Sequence, residues 1–417
     1  MKIADLYSLF IKYGLVDTDT RKVRKNTLFF ALKGGNFNGN KFAEEALLKG
    51  ASFSIVDEIK YQTSKNIILV ENVLKTLQDL ASHHRKMLNI PIISLTGSNG
   101  KTTTKELINA VLASKYQTIA TKGNLNNHIG VPLTLLSMNS DTEIGIVEMG
   151  ANHPNEIAFL SEISNPDYGY ITNFGSAHLE GFGSIEGVVK AKAELYDFLK
   201  KFDKEVFVNP NDPIQIEKTE NTKRIVFDKS IKFIEANPFV KLGFKSIEIQ
   251  SNLIGTYNYS NIAAAITIGN YFKVSKEEIK IAIESYIASN NRSQIIKTKD
   301  NKIILDAYNA NPTSMRAALN SFRDLKSTSK TIILGDMFEL GGYSDKSHQD
   351  IVDLVVDLKF ENAFFVGENF KKTITSYPKF LNFDDLKNCL IKQNIKNNAI
   401  LIKGSRGMAL ERIVEFC

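Results

Sequence analysis

Ile92-Ile93-Ser94-Leu95-Thr96-Gly97-Ser98-Asn99-Gly100-Lys101-Thr102-Thr103-Thr104 is the stretch on which the reading of this chain turns. An apolar run of strand length ends in a glycine-bearing turn, and a helical pattern follows from Lys105 to Leu112. Strand, glycine loop and helix in that order make a phosphate cradle. Glycines let backbone N–H groups turn inward, the helix start favours negative charge, and a lysine adds a point charge. Gly97, Ser98, Asn99, Gly100, Lys101, Thr102 and Thr103 are therefore expected to hold the phosphates of a nucleotide, with Thr102 placed for Mg²⁺. The general phosphate-loop pattern asks for a first glycine where this chain has Leu95. The plain alternative is a tight turn carrying a surface lysine.

Outward from this loop, short apolar runs recur at Ile144–Met149, Tyr168–Thr172 and Glu205–Val208, with helical patterns such as Val188–Leu199 between them. Strands alternating with helices predict a parallel α/β sheet. Arg224–Phe227 and Ile247–Gln250 come close together and suggest a small antiparallel extension, and Ser260–Tyr271 reads as an alanine-rich helix. Upstream, Thr27–Leu32, Ala51–Val56 and Asn66–Val70 read as strands and Val73–Met87 as a helix before a boundary near Asn89. Downstream, strands at Lys302–Leu305, Thr331–Leu334, Ala363–Val366 and Ala399–Ile402 form a third α/β unit, and Ala288–Ser293 is the expected linker. The expected domains are 1–88, 89–294 and 295–417.

Size and composition agree. At roughly 100–200 residues per domain, 417 residues make two to four. Hydrophobic residues at 43% and charged ones at 24% describe an ordinary globular chain. The net charge of +6 is spread out, with no like-charge run to suggest a nucleic-acid partner or a membrane tail. No apolar stretch nears the ~20 residues needed to span a bilayer. The start reads as no signal peptide. Cys389 and Cys417 form no framework, which fits a reducing cytoplasm. A monomer is expected.

Several strings, in order along nearly the whole chain, resemble the Mur ligases and their folate-ligase relatives. After the phosphate loop come Thr121-Lys122-Gly123-Asn124-Leu125-Asn126-Asn127-His128-Ile129-Gly130-Val131-Pro132 and Glu148-Met149-Gly150-Ala151-Asn152-His153-Pro154. Thr172-Asn173-Phe174-Gly175-Ser176-Ala177-His178-Leu179-Glu180 leads to Ala191-Lys192-Ala193-Glu194. Asn291-Arg292-Ser293, Asp306-Ala307-Tyr308-Asn309-Ala310-Asn311-Pro312, Leu334-Gly335-Asp336-Met337-Phe338-Glu339-Leu340 and Lys403-Gly404-Ser405-Arg406-Gly407 complete the set. The resemblance implies three domains: a small α/β domain binding a UDP-substrate, a central phosphate-loop ATPase with a parallel sheet, and a C-terminal Rossmann-like domain. It also implies ATP and Mg²⁺. The Glu-Met-Gly-Ala-Asn-His-Pro and Tyr-Asn-Ala-Asn-Pro strings resemble those of members that add D-alanyl-D-alanine to UDP-N-acetylmuramoyl-tripeptide. Sister ligases, a folylpolyglutamate synthase and an inactive nucleotide-binding relative are the alternatives.

Residue by residue, Glu148 ends a strand and offers Mg²⁺ a hard oxygen. The resemblance makes His178 a second metal ligand. It makes Lys192 a catalytic lysine able to carry a carbamate, an anionic ligand, with Lys190 on another face of the helix. By the same resemblance Arg292 reaches the ATP phosphates, Asn258 and Asn261 stand on the adenine side, and Asp306 is a ribose or domain-closure contact. Thr20, Arg21, Lys33 and Gly34 resemble UDP-binding segments. Asn126, Asn127, Asn309 and Asn311 are expected on the substrate. Lys403 and Arg406 follow the last strand and are expected to meet a carboxylate or phosphate. One departure stands out: Tyr257 occupies the place of a histidine frequent in the family's Gly-x-His-Asn-x-x-Asn.

Overall fold

In the computed structural model, which describes residues 1–288 and 291–417, three α/β units follow one another along the chain. Residues 289 and 290 of the expected linker lie outside the described residues. The first unit is a four-stranded parallel sheet in the order Val16–Asp17, Leu28–Phe30, Phe53–Val56, Ile67–Leu69. A two-stranded hairpin, Lys33–Gly34 with Phe37–Asn38, projects from it. The helix Val73–Leu88 closes the unit. Its first turn is capped by the Asn72 side chain, which accepts from the Lys75 N–H at 2.8 Å, and it stops at Asn89 in the left-handed region.

That helix also ties the first unit to the second. Its stripe Val73, Leu77, Leu80, Ala81 is buried, and it packs along the central helices Gly130–Leu136 and Glu156–Ser164. Polar contacts run along the same seam. Gln78 donates to the His128 carbonyl at 3.0 Å, His84 Nε2 lies 2.9 Å from the Met138 carbonyl, and Arg85 pairs with Asp167 at 2.7 Å.

The central sheet has six parallel strands in the order Lys223–Val226, Glu205–Val208, Tyr168–Ile171, Ile92–Thr96, Ile144–Glu148, Thr118–Ala120. Chain order reverses on the two sides of Ile92–Thr96. A crevice therefore opens at the carboxyl ends of that strand and its neighbours, which is where open α/β sheets bind ligands. The expected antiparallel extension is corrected here. Lys223–Val226 is the parallel edge strand of the main sheet. Ile247–Ile254 belongs to a separate antiparallel sheet with Lys232–Ala236 and Phe239–Phe244. Two apolar runs near in sequence can pair in different sheets, and periodicity alone does not separate these cases. The apolar face of this small sheet packs with the helix Asn258–Tyr271, whose three consecutive alanines, Ala263 to Ala265, are all buried.

The third unit is a six-stranded sheet in the order Gln294–Lys297, Asn301–Asp306, Asn398–Lys403, Lys330–Gly335, Asn362–Val366, Lys379–Phe380. Only the first pair is antiparallel; the rest are parallel. Between the second and third units, the helical turn Leu179–Phe182 meets Gly341–Tyr343, and the apolar cluster of the second unit continues into the third.

Candidate active site

The helix Lys101–Ala113 begins at the lysine itself, so Lys101 occupies the first helical position. The loop before it is folded by two glycines. Gly97 has φ +141°, and a Cβ there would stand 2.0 Å from Thr172 Oγ1. Gly100 has φ +80°, and a Cβ would stand 2.7 Å from Asn261 Oδ1. Other strand ends hold the loop from below. The Asn99 N–H donates to Asn173 Oδ1 at 3.1 Å, and the Asn99 carbonyl accepts from Thr172 Oγ1 at 2.6 Å and Asn173 Nδ2 at 2.9 Å. Ser98 Oγ donates to the Gly175 carbonyl at 2.6 Å. Lys101 Nζ donates to the Gly97 carbonyl at 2.6 Å. Burial pushes its pKa down, Glu148 opposes that, and Arg292 adds to it.

A cavity of about 650 Å³ opens over this loop, within the range of small-molecule sites. Its walls include Ser98 to Thr103, Asn126, Asn127, Glu148, His178, Asn258, Asn261, Arg292, Asp306, Asn309, Glu339, Lys403 and Arg406. The second and third units thus share it. Glu148 is 1% exposed. Its Oε1 accepts from Asn126 Nδ2 at 2.8 Å and lies 3.3 Å from Thr102 Oγ1, while its buried Oε2 has no partner. Among the described residues no three His, Cys, Asp or Glu side chains gather as a ready metal cage. One unpartnered buried carboxylate oxygen beside a hydroxyl and a phosphate loop is the sparser set that suits Mg²⁺, which keeps waters and shares substrate phosphates.

Lys192 stands on the buried face of the helix Ile185–Lys201, fully enclosed, with Nζ 3.2 Å from the Ala151 carbonyl and 5.1 Å from the Phe182 ring centroid. Burial and the Lys101 charge push its pKa well below the usual ammonium range. Glu194 is not its partner, because that carboxylate accepts from the Asn155 and Ala158 N–H groups. Lys190 is exposed.

From the third unit, Lys403 is buried at the end of its strand, bonded to Asp306 Oδ2 at 2.6 Å and the Asn309 carbonyl at 3.0 Å. Asp306 also accepts from the Ser293 N–H at 3.2 Å. Arg292 lies over the Tyr308 ring at 3.7 Å, with its buried Nε unpartnered, and Arg406 approaches the same ring at 5.9 Å. Asn311 caps the helix Pro312–Asp324 through Oδ1 and donates through Nδ2 to Asn99 Oδ1 at 2.7 Å. It binds the phosphate loop to the third unit. Asn126 serves Glu148, and Asn127 Oδ1 accepts from the Ile129 N–H at 3.1 Å and the Gly130 N–H at 2.9 Å in the turn that leads into the helix Gly130–Leu136. Asn258 and Asn261 bond to each other, with Asn261 accepting from Thr104 and Asn258 donating to the Ile254 carbonyl, so they brace the loop helix. The Tyr257 hydroxyl meets Ser293 Oγ at 2.9 Å, across the junction of the two units.

Thr20, Arg21, Lys33 and Gly34 do not line this cavity. They follow the carboxyl ends of the first and second strands of the first sheet. Arg21 pairs with Asp19 at 2.7 Å, and Lys33 with Asp57 at 2.8 Å and Glu58 at 3.1 Å. Three contributors had no role assigned from sequence: Asn173 beneath the loop, Tyr308 beneath Arg292, and Glu339 against His178. Each lies two to four residues past a strand end and inside one of the strings that resemble the family, which are the signals that pointed to it.

Three family models match in sequence order: the Mur ligase family catalytic domain over residues 12–85, the Mur ligase middle domain over 95–269, and the Mur ligase glutamate ligase domain over 291–406. The UDP-N-acetylmuramoyl-tripeptide–D-alanyl-D-alanine ligase of Bacillus subtilis (strain 168) is 35% identical, covering 96% of this chain and 92% of that protein. The MurF structure from Acinetobacter baumannii superposes with a TM-score of 0.86 at 28% identity, covering 96% of this chain and 92% of that one. The MurF ligase from Thermotoga maritima, solved with ADP, also gives 0.86, at 26% identity and 100% and 98% coverage.

Proposed function

We propose the function of this chain from one premise: it belongs to the Mur ligase family. It is an ATP-dependent ligase that uses ATP and Mg²⁺ to add D-alanyl-D-alanine to UDP-N-acetylmuramoyl-tripeptide, a step in building the peptidoglycan precursor. The observation that supports it most is the shared cavity. Lys101, Thr102 and Glu148 of the central domain and Arg292 at its end share one space with Asp306, Lys403 and Arg406 of the C-terminal domain.

The chemistry follows from what that space must do. A substrate carboxylate oxygen attacks the γ-phosphorus of ATP, ADP leaves, and an acyl phosphate forms. The dipeptide amine then attacks the acyl carbon, loses its proton, and phosphate departs as the C–N bond is made. Phosphoryl transfer is catalysed mainly by positioning and charge neutralisation. The turned backbone of Gly97 to Thr103 cradles the phosphates. Lys101 leaves the Gly97 carbonyl for a phosphate oxygen, and Arg292, fixed on Tyr308, adds a second cation. Mg²⁺, when bound, neutralises phosphate charge, and Thr102, Glu148 and His178 are the groups that would hold it. Lys192, enclosed among apolar side chains that disfavour its charged form, is the group whose amine would add CO₂ and lose a proton to give a carbamate. Lys403 orders Asp306 and the Asn309 turn, leaving Arg406, exposed and paired with Glu411 at 2.7 Å, as the cation that would exchange that partner for a substrate carboxylate. Thr20, Arg21, Lys33 and Gly34 take the uridine diphosphate at the end of the first sheet. An anion there only exchanges the exposed Lys33 pairings, which stabilise little.

The domains are 1–88, 89–294 and 295–417, and the enzyme works as a monomer in the cytoplasm. No described helix is long and apolar enough to cross a membrane. A decayed, merely nucleotide-binding relative would have lost at least one of Lys101, Glu148, His178 and Lys192, and all four are present. The test is phosphate release by the purified protein with ATP, Mg²⁺, UDP-N-acetylmuramoyl-tripeptide and D-alanyl-D-alanine, each omitted in turn. Release requiring all four is expected. Full-rate hydrolysis of ATP without either peptide substrate would overturn the assignment.

A further inference from the structure

The C-terminal domain touches the metal-side wall of the cavity at Glu339. This residue lies in the left-handed region, φ +62°, just past the strand Lys330–Gly335. Its loop is pinned on both sides. The Phe338 N–H donates to Ser405 Oγ at 2.9 Å, the Met337 N–H donates to His348 Nε2 at 3.0 Å, and the Glu339 carbonyl accepts from the Glu180 N–H at 3.2 Å. The Glu339 carboxylate closes directly on Nδ1 of His178, a residue of the central domain that is itself held at φ +54°. That nitrogen is sealed from solvent and makes no aligned hydrogen bond, so the half-exposed Glu339 carboxylate against it is a close charge contact whose alignment the closed state would have to complete. The His178 side chain nevertheless keeps 17% exposure and lines the cavity, so its open edge is the one opposite Nδ1, bearing Nε2.

The two nitrogens of an imidazole are not independent: the partner taken by one decides what the other offers. Histidines that bind metals nearly always give the second nitrogen to a carboxylate or carbonyl. Of the other acids of the cavity wall, Glu148 bonds to Asn126 and keeps one oxygen free on the phosphate-loop side. Glu156 accepts from the Asn152 and His153 N–H groups, and Asp306 holds Lys403. We propose that Glu339 is a positioning residue. By docking on Nδ1 when the C-terminal domain closes, it presents Nε2 of His178 to the cavity, so that the central domain's ligand set is complete only in the closed molecule. This rests on the metal role given to His178 above and adds to it the coupling of that ligand to domain closure.

The experiment compares full-length wild type with Glu339→Ala and Glu339→Gln. The first readout needs neither metal nor ATP. Selective ¹⁵N-histidine labelling at pH about 8, above the usual imidazole range, reports the tautomer of His178, assigned by the signal that His178→Gln removes. Wild type should show the proton on Nδ1, and Glu339→Ala should shift toward the other tautomer or a mixture. The second readout is the Mg²⁺ concentration giving half-maximal phosphate release. It should rise about ten- to a hundredfold in Glu339→Ala, the usual scale for losing such a support, with the KM for the UDP-substrate unchanged. Glu339→Gln, whose carbonyl still accepts the N–H, should recover part of the loss in both readouts. An unchanged tautomer in Glu339→Ala, or an unchanged Mg²⁺ requirement, would overturn the proposal. Failure of wild type to need all four components would instead overturn the function on which it rests.

Discussion

Lysine does three different jobs in this molecule, and neighbours, not residue type, decide which. Lys101 lies in the cavity wall with its charge unpaired, so Lys101→Ala should fold normally yet lose about 10²–10³ in kcat, the usual result of removing one preorganised electrostatic donor. Turnover near the wild-type rate with an unchanged unfolding curve would remove the loop from the mechanism. Lys403 is buried against Asp306 and mainly holds structure. Lys192 is the instructive case, because Val188, Ala191, Leu195, Tyr196 and Leu199 form the buried stripe in which it sits. An ammonium in an apolar stripe is costly unless paired or neutralised; in the sequence the position was marked by the resemblance of Ala191-Lys192-Ala193-Glu194 to the family, and its burial in the stripe came only with the fold. If a carbamate forms there, Lys192→Ala should be nearly inactive and partly rescued by a small carboxylic acid, while Lys190→Ala stays active. A Lys192→Arg variant with normal turnover would show that positive charge suffices and exclude the carbamate. Sequence spacing could not say that Asn126, Asn258 and Asn311 face other side chains first, since an amide serves a substrate or a scaffold equally well.

Among elements, those built on strong local rules were legible and those depending on partner choice were not. Glu205–Val208 is a strand at the expected residues, and the helix after the phosphate loop only extends earlier, to Lys101. The misreading of Lys223–Val226 came from proximity in sequence, whereas its partner Glu205–Val208 was chosen by the sheet edge. The loop bearing Glu339 depends on a device with no sequence signature, the buried His348. Its Nδ1 lies 2.8 Å from the Ser344 carbonyl and its Nε2 accepts from Met337, an arrangement only the neutral ring can make. Burial lowers its pKa, against the nearby charges of Asp336 and Asp345, with Lys372 acting in the same direction as burial. His84, between Tyr7 and the Met138 carbonyl, is lowered for the same reason, with His83 nearby. A depressed folded-state pKa means that the unfolded chain binds the proton more readily. This stability is therefore complete above the unfolded value, about 6.5, and is lost as pH falls from there through the folded value. Urea midpoints at pH about 8 and about 5.5 should fall on acidification, and fall less in His348→Gln. An equal fall in both proteins would acquit His348.

At the scale of the whole molecule, the seams differ. The helix Val73–Leu88 fastens the first domain to the second along a buried apolar stripe, and the same apolar cluster runs on into the third domain, whose side-chain bonds to the second include the polar pairs Asn99–Asn311, Ser176–Thr313 and His178–Glu339. Polar contacts of this kind can be broken and remade, so the third domain is expected to be the one that moves. Closure would exclude water from a hydrolysable acyl phosphate. Solution scattering should show a smaller radius of gyration with an ATP analogue and the UDP-substrate than without them, and identical profiles at verified occupancy would count against closure. The fastened seam has a further consequence, best put in the language of measurement. With the uridine end held at the first sheet and the third domain closing, as proposed, the first two domains would form the fixed jaw of a caliper, with the uridine site at one mark and the phosphate loop at another, and the third domain would be the sliding jaw. A substrate is then gauged by reach as well as by contact: one with too short a stem stops before the loop, however tightly its uridine is held.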